Sequence, residues 1–324
     1  MENFAYVNAS SLKEATAALG SSWSEAVVLA GGTDLLGLMK DYVMSPNRLV
    51  NIKGIKELGG ISKAGGGVRI GATVTFDELA GNAMVRQMYP SLTQAVAGVT
   101  SPQIRNMGTV GGDLCQRPRC WYFRLGHGVL GTKDGKSLVE TGENKYHAIF
   151  ADGPARFVSA SSLGPALIAL GAKVKLVSAT GSREVDAAKF FVAPQTNEAR
   201  EIALLPNEIL TEIVIPAAEK NATYEVRHKD ALDWPLATAS VSLKMKGNTV
   251  TAASIVLGHV AATPYVASAA ASGLVGKTIT EEVAMAAGNA AVQEAKPLSQ
   301  NLYKVQLAKV AVKRALLEAA GIKA

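Results

Sequence analysis

Two short segments constrain this chain more than anything else in it: Ala30-Gly31-Gly32-Thr33-Asp34-Leu35 and Gly108-Thr109-Val110-Gly111-Gly112-Asp113. Each compresses paired glycines, a threonine hydroxyl and an aspartate into a few residues. Lacking Cβ, glycine lets the backbone approach a ligand closely and adopt positive φ, so successive N–H groups can converge on one anionic oxygen. A single segment of this kind is equally well read as a tight turn. Two of them, the second preceded by Ser101-Pro102-Gln103-Ile104-Arg105-Asn106, have the form of two sides of a pyrophosphate clamp, with a pair of plain loops as the alternative.

The surrounding pattern alternates helix and strand signals. Residues 11–19 form a serine-capped helix ending at Gly20, and residues 26–30 a short apolar strand that breaks at Gly31-Gly32. Strands are also expected at 49–52 and 68–74, with Thr75 capping a helix that starts at Phe76. A helix at 92–99 runs into the second glycine segment. From about 115 to 157 periodicity fades into a polar excursion, too long for an ordinary connection and therefore an insertion or a functional loop. A helix at 163–170 and strands at 173–177 and 209–215 follow. The last third reads as a hairpin, 239–245 and 250–257 across Gly247-Asn248, then helices at 265–272, 281–295 and 302–320. Boundaries near 60 and 220 divide the chain into 1–60, 61–220 and 221–324.

With 324 residues, 48% hydrophobic and 19% charged, the chain is long enough for two or three well-cored domains. Its net charge of +6 is mild and spread out, unlike the basic face of a nucleic-acid binder. Arg117, Arg119 and Arg124 concentrate charge locally and read as a solvated face, or one matched to an acidic partner. No run of about 18 apolar residues suggests a membrane span, and Met1–Tyr6 has no secretory pattern. Cys115 and Cys120 read as free thiols, which points to the cytoplasm.

Several chemistries are poorly supported. No Gly-x-Gly-x-x-Gly follows a strand, and Gly131-Thr132-Lys133-Asp134-Gly135-Lys136-Ser137 is one residue short of a P-loop and reads as a surface turn. His127, His147, His228 and His259 show no ligand spacing and read as structural. No serine sits in a Gly-x-Ser-x-Gly elbow. What remains is a chain suited to holding a phosphate-bearing cofactor that carries the chemistry itself.

Four stretches resemble one family in order along the chain: residues 30–35, Ile70-Gly71-Ala72-Thr73-Val74-Thr75, residues 103–114, and Pro297-Leu298-Ser299-Gln300-Asn301-Leu302-Tyr303-Lys304-Val305. They are similar to the FAD-binding subunit of xanthine-oxidase-family molybdenum hydroxylases. Residues 116–123 narrow the resemblance to the branch containing periplasmic aldehyde oxidoreductases.

The resemblance implies an α+β fold: a two-part FAD-binding domain of the vanillyl-alcohol-oxidase (PCMH) type, then a smaller α+β domain of the CO dehydrogenase flavoprotein C-terminal type. It implies that Ala30, Gly31, Gly32, Thr33, Asp34 and Leu35, with Gly108, Thr109, Gly111, Gly112 and Asp113, hold the pyrophosphate and ribityl chain. Ile70, Ala72 and Thr73 would lie near the adenosine end. Gln103, Arg105 and Asn106 belong to the same cofactor set, with Arg105 either offsetting phosphate charge or forming an internal salt bridge.

Two departures stand out. Relatives in some branches hold a 4Fe-4S cluster with four cysteines of the insertion; Cys120 matches the first, and no cysteine follows it, so no such cluster is expected here. The family's Ser-Asp pair appears as Ser161-Ser162, which leaves Ser162 at the expected acidic contact, and relatives place a lysine where Glu225 stands. The implied function is electron transfer: a molybdenum-cofactor large subunit oxidises an aldehyde or N-heterocycle, a small subunit with two 2Fe-2S clusters relays electrons, and FAD here passes them to NAD⁺, O₂, a quinone or another carrier. A self-contained flavin oxidoreductase and a scaffold with a decayed flavin site are the rival readings. Export to the periplasm, already folded beside a signal-bearing partner, is the alternative to a cytoplasmic location.

Overall fold

The computed structural model describes residues 1–151, 153–229 and 233–323. β1 (Ala5–Asn8), β2 (Val27–Leu29) and β3 (Arg48–Asn51) form a small parallel sheet in the order β1-β3-β2. Parallel neighbours require crossovers, supplied here by the helices Leu12–Ala17 and Leu35–Lys40. The first begins where expected, with Ser11 Oγ accepting from the Glu14 amide at 3.2 Å. The first glycine segment therefore leaves the carboxyl end of β2, the place where parallel sheets present ligands.

β4 (Ile61–Ala64) and β5 (Gly67–Gly71) open a second, antiparallel sheet, and Thr75 and Glu78 form a full capping box on the helix Phe76–Gly81. The helix expected at 92–99 is instead Pro90–Ala97, and a separate helix, Pro102–Met107, follows it, started by Ser101 and Pro102. The second glycine segment is not a turn. Thr109 is the N-cap of the helix Val110–Cys115, and Gly111, Gly112 and Asp113 lie within its first turn. The insertion holds the short helices Trp121–Arg124 and Leu138–Thr141 and a hairpin, β6 (Thr132–Lys133) and β7 (Lys136–Ser137), where the P-loop look-alike makes a surface turn.

After the buried helix Gly164–Ala169, strands β8 (Lys173–Ser178), β9 (Gly181–Asp186) and β10 (Ile209–Ile215) complete the sheet in the order β4-β5-β10-β8-β9. Its core includes Ile70, Leu79, Leu92, Val174 and Ile213, all fully buried. Each such side chain contributes roughly 1.5–3 kcal/mol on transfer from water.

The C-terminal part is a four-stranded antiparallel sheet, β11 (Lys220–Val226), β12 (Ala237–Lys246), β13 (Thr249–Gly258) and β14 (Tyr265–Val266). Helices Ser268–Ser272, Glu281–Ala291 and Tyr303–Ala320 cover it. The last two approach closely because they meet through small side chains: a Cβ on Gly288 would lie 2.6 Å from the Lys309 carbonyl oxygen. The helix expected from 265 begins only at Ser268, since Tyr265 and Val266 pair with Leu257 and Val256. Among the described residues no helix is long and apolar enough to cross a membrane.

Candidate cofactor site

The two glycine segments, about 75 residues apart in sequence, are in contact. A Cβ on Gly31 would lie 1.9 Å from the Met107 carbonyl oxygen and 3.2 Å from Gly108 Cα, so only glycine fits. Gly32 takes φ +74°. The second segment is held by a ladder that starts in the sheet. A register shift at Thr211 in β10 turns the Thr211 carbonyl to the Ala72 amide at 2.9 Å. Ala72 O then accepts from Gly111 N at 2.9 Å, and Val74 O from Val110 N at 2.8 Å.

Counting amides separates the roles of the two segments. In the second, Val110 and Gly111 donate to β5's extension, Gly112 donates to Thr109 Oγ1 at 3.1 Å and Asp113 to Thr109 O at 2.9 Å. In the first, none of the amides of residues 31–35 makes a backbone hydrogen bond among the described residues. Unpaired amides at the carboxyl end of a parallel strand are donors awaiting an acceptor. The sequence pattern has the form of two sides of a pyrophosphate clamp. Most of the unpaired amides lie on the first segment, and the second brings a close wall, the Thr109 hydroxyl and the Thr109 amide, which makes no backbone hydrogen bond among the described residues.

Two cavities, of about 910 and 960 Å³ counting their open mouths, meet at this point and share Thr33, Asp34, Thr109, Gly112 and Gln116. The first runs toward Trp23, Ile52 and Leu210 and the second toward Phe76, Val99 and Trp234. Two largely apolar lobes joined by a polar waist is the shape a dinucleotide requires.

The arginines of the insertion are not a solvated face. Asp34 Oδ2 accepts from the Arg117 amide at 2.7 Å and Asp34 Oδ1 from Arg124 Nη2 at 2.8 Å, with Arg119 Nη2 at 3.2 Å. Arg117 also donates to Glu201 at 2.6 Å and lies 4.8 Å over the Phe123 ring. Asp34 is thus a clasp that folds the insertion onto the first glycine segment. Arg200, which the sequence reading missed, lines the first cavity, stacks 4.2 Å over Trp23 and leaves Nε without a hydrogen bond among the described residues. Burial lowers its pKa to about 10, so it stays charged. It lay outside every motif, and only tertiary packing brings it here.

Of the remaining residues named from sequence, Ala30, Leu35 and Ala72 line the first cavity and Gly108 and Ser162 the second. Gly31, Gly32, Thr33 and Gly111 line the waist or the first lobe. Asp113 borders the second cavity but spends its carboxylate on the protein. It accepts from Ser161 Oγ at 2.5 Å, Leu163 N at 3.0 Å, Ser162 N at 3.2 Å and Gln116 Nε2 at 3.0 Å. Ile70 is fully buried inside β5, and Thr73 donates its amide to the Leu58 carbonyl; neither is among the residues lining these two cavities. Gln103 and Asn106 are exposed, and Arg105 pairs with Asp77 at 3.2 Å. For these three helix periodicity decides: Ile104, between them, is the one that faces the second cavity. Glu225 lies behind that cavity's wall, its Oε2 in the space a Cβ on Gly98 would need. Burial pushes its pKa up to about 8.

A cleft with unpaired amides at the waist and two apolar lobes defines a dinucleotide-cofactor protein, and comparison with known proteins says which kind. Residues 2–218 match the FAD binding domain in molybdopterin dehydrogenase, and residues 222–319 match the CO dehydrogenase flavoprotein C-terminal domain. The chain is 32% identical over 321 residues to the carbon monoxide dehydrogenase medium chain of Hydrogenophaga pseudoflava, covering 97% of this chain and 96% of that one. It is 30% identical over 302 residues to the aldehyde oxidoreductase FAD-binding subunit PaoB of Escherichia coli, covering 90% of each. Among solved structures, Cu,Mo-CO dehydrogenase superposes with TM-score 0.78 at 27% identity over 98% of both chains. The chain belongs to the family of FAD-binding subunits of molybdopterin dehydrogenases.

Proposed function

We propose that this chain binds FAD across the waist described above and serves as the flavin-bearing electron-transfer subunit of a molybdenum hydroxylase. The observation that carries the reading is the run of unpaired amides at 31–35, with Gly31 pressed against Met107 and Gly108, where an added Cβ would collide. A pyrophosphate satisfies those donors at once. Gly31, Gly32 and Thr33 would grip it, Thr109 would donate its hydroxyl, and Arg117 and Arg200 would supply positive potential from the first-lobe side. The adenosine would lie toward Trp23 and Leu210, and the flavin ring toward Phe76, Val99 and Trp234.

When bound, the flavin takes electrons singly and gives them up in pairs, which is the chemistry needed between one-electron clusters and a two-electron acceptor. The protein holds the cofactor and excludes water from its ring. Among the described residues no side chain at the waist is poised as a nucleophile, consistent with positioning as the task of this subunit. The partners fitting this role are a molybdenum-cofactor large subunit and a small subunit with two 2Fe-2S clusters. We further propose the working units 1–60, 61–220 and 221–324. Affinity purification from the native source tests the assignment. A yellow chain accompanied by a molybdenum polypeptide and an iron–sulfur polypeptide is expected. A lone active flavoprotein would support the self-contained rival, and a colourless chain the scaffold.

A further inference from the structure

The second cavity has a buried acid behind its wall. Gly98, Val99 and Thr100 line that cavity, and Glu225 of β11 presses on Gly98 from the far side. A Cβ built on Gly98 would lie 1.9 Å from Glu225 Oε2 and 3.0 Å from Oε1, so one layer of backbone separates the carboxyl from the lobe. We propose that Glu225 takes up a proton when the flavin is reduced, as a positioning residue that sets how steeply the flavin potential depends on pH. The proposal rests on the FAD reading above, with the ring in this lobe.

Little around the carboxyl holds it ionised. The side chain is 7% exposed, and neither oxygen has a hydrogen bond among the described residues. Arg227 stands 4.0 Å away on the same strand, but its Nη1 donates to the Gly98 carbonyl at 2.9 Å. The helix Pro90–Ala97 contributes no charged residue, and the amide of Thr223 occupies its Gln94 Oε1 at 2.7 Å. Across on β12 the paired residue is Thr238, whose hydroxyl meets His259 Nδ1, and burial holds the His259 ring neutral. Asp113, in the helix Val110–Cys115, adds a like charge. Arg314 of the final helix bonds Tyr224, which faces the other side of the strand. Burial therefore raises the Glu225 pKa to about 8, Arg227 pulling it down and Asp113 adding to the rise.

An unpaired carboxyl in a dry wall is poorly screened from charge that appears beside it. Two electrons and one proton delivered to the ring leave one negative charge in the lobe. That charge disfavours the Glu225 carboxylate further, as any like charge does. Above about pH 8, Glu225 then takes a proton from solvent during reduction and returns it to solvent when the electrons leave. Two electrons travel with two protons, and the potential falls more steeply with pH than one proton allows. Below about pH 7, Glu225 is protonated in both states and adds nothing.

The test compares the intact complex with the same complex carrying Glu225→Gln, so that its other redox centres cancel in the difference. Both are reduced at an electrode through a mediator. A pH-indicator dye counts the protons taken up, and flavin absorption gives the potential. At about pH 9 the wild type should take up at least about half a proton more per flavin than Glu225→Gln, and its flavin potential should lie lower. At about pH 6.5 the two should agree. In reduced-minus-oxidised infrared spectra at the higher pH, a carboxylic-acid C=O band should appear in the wild type and be missing from the variant. Glu225→Asp, which keeps an ionisable acid, should keep the extra proton. A purely structural Glu225 would move the Tm and leave these readouts alone. Equal proton uptake and parallel potentials across the pH range, with flavin bound, overturn this role and leave the FAD reading standing. A complex without flavin absorption overturns the FAD reading and this role with it.

Discussion

Glu225 is a carboxylic acid with neither oxygen hydrogen-bonded among the described residues, 4.0 Å from Arg227 and wedged against Gly98. With its pKa raised from 4.5 to about 8, the folded protein holds a proton that the unfolded chain releases. The native state therefore binds more protons than the unfolded state between these values, and stability falls as pH rises through that window. Glu225→Gln removes the dependence. Its Tm should exceed that of the wild type at about pH 8 and converge with it near pH 5, the gap reflecting a few kcal/mol. Parallel Tm curves across the range would contradict this account. Asp34 is the contrasting case, a carboxylate satisfied by the Arg117 amide and the Arg119 and Arg124 guanidiniums. Removing it as Asp34→Ala strands buried donors and should cost roughly 2–4 kcal/mol in denaturant unfolding. Proteolytic cleavage should then appear first within 115–157; a loss below about 0.5 kcal/mol, the range of an ordinary surface change, would show that the clasp is incidental.

At the scale of elements, close approach of the two glycine segments is the feature to break. Gly31→Ala places a methyl against the Met107 carbonyl and should weaken flavin binding by about a hundredfold, because the waist must open. Gly37→Ala, in the helix Leu35–Lys40 with nothing within 4 Å of the added methyl, is the control. It should raise stability by up to about 1 kcal/mol and leave flavin content intact, as followed by denaturation and absorbance. Equal flavin loss in both would mean that the contact does not organise the site.

Much of this level was legible beforehand. Apolar runs ending at glycine gave β2 and the segment after it, and Thr75 with Glu78 announced a helix start that the structure has. What escaped has physical causes. β9 is polar and largely exposed at a sheet edge, so no hydrophobic period marks it. The helix Val110–Cys115 contains two glycines, which propensity counts against a helix, yet its amides are fixed by Ala72, Val74 and Thr109. Among the site residues, Arg200 was invisible because nothing local distinguishes it from any other arginine.

Across the whole molecule, the motif at 297–305 is a stitch rather than a cofactor contact. Asn144 and Gln300 exchange amide bonds at 3.0 and 2.9 Å, and Asn301 Nδ2 donates to the carbonyls of His147 and Ala148, both at 3.1 Å. Lys304 adds its buried amino group, whose pKa burial lowers to about 7, tying the insertion to the final helix. Lys304→Met fills the space but leaves the Tyr146 and His259 carbonyls without a donor, Asn301 still donating to His147. It should lower stability by about 3 kcal/mol in denaturant unfolding and release the insertion to protease, while the flavin remains bound because its waist lies elsewhere. Simultaneous loss of flavin and insertion order would show the two regions to be one cooperative unit. The amides of residues 31–35 matter most of all, since they assign the pyrophosphate its place. Equilibrium titration of the flavin-depleted protein with FAD and with FMN, which lacks the pyrophosphate linkage, reads that assignment directly. Binding of FAD at least about a hundredfold tighter than FMN is the expected result; equal affinity for the two would contradict it.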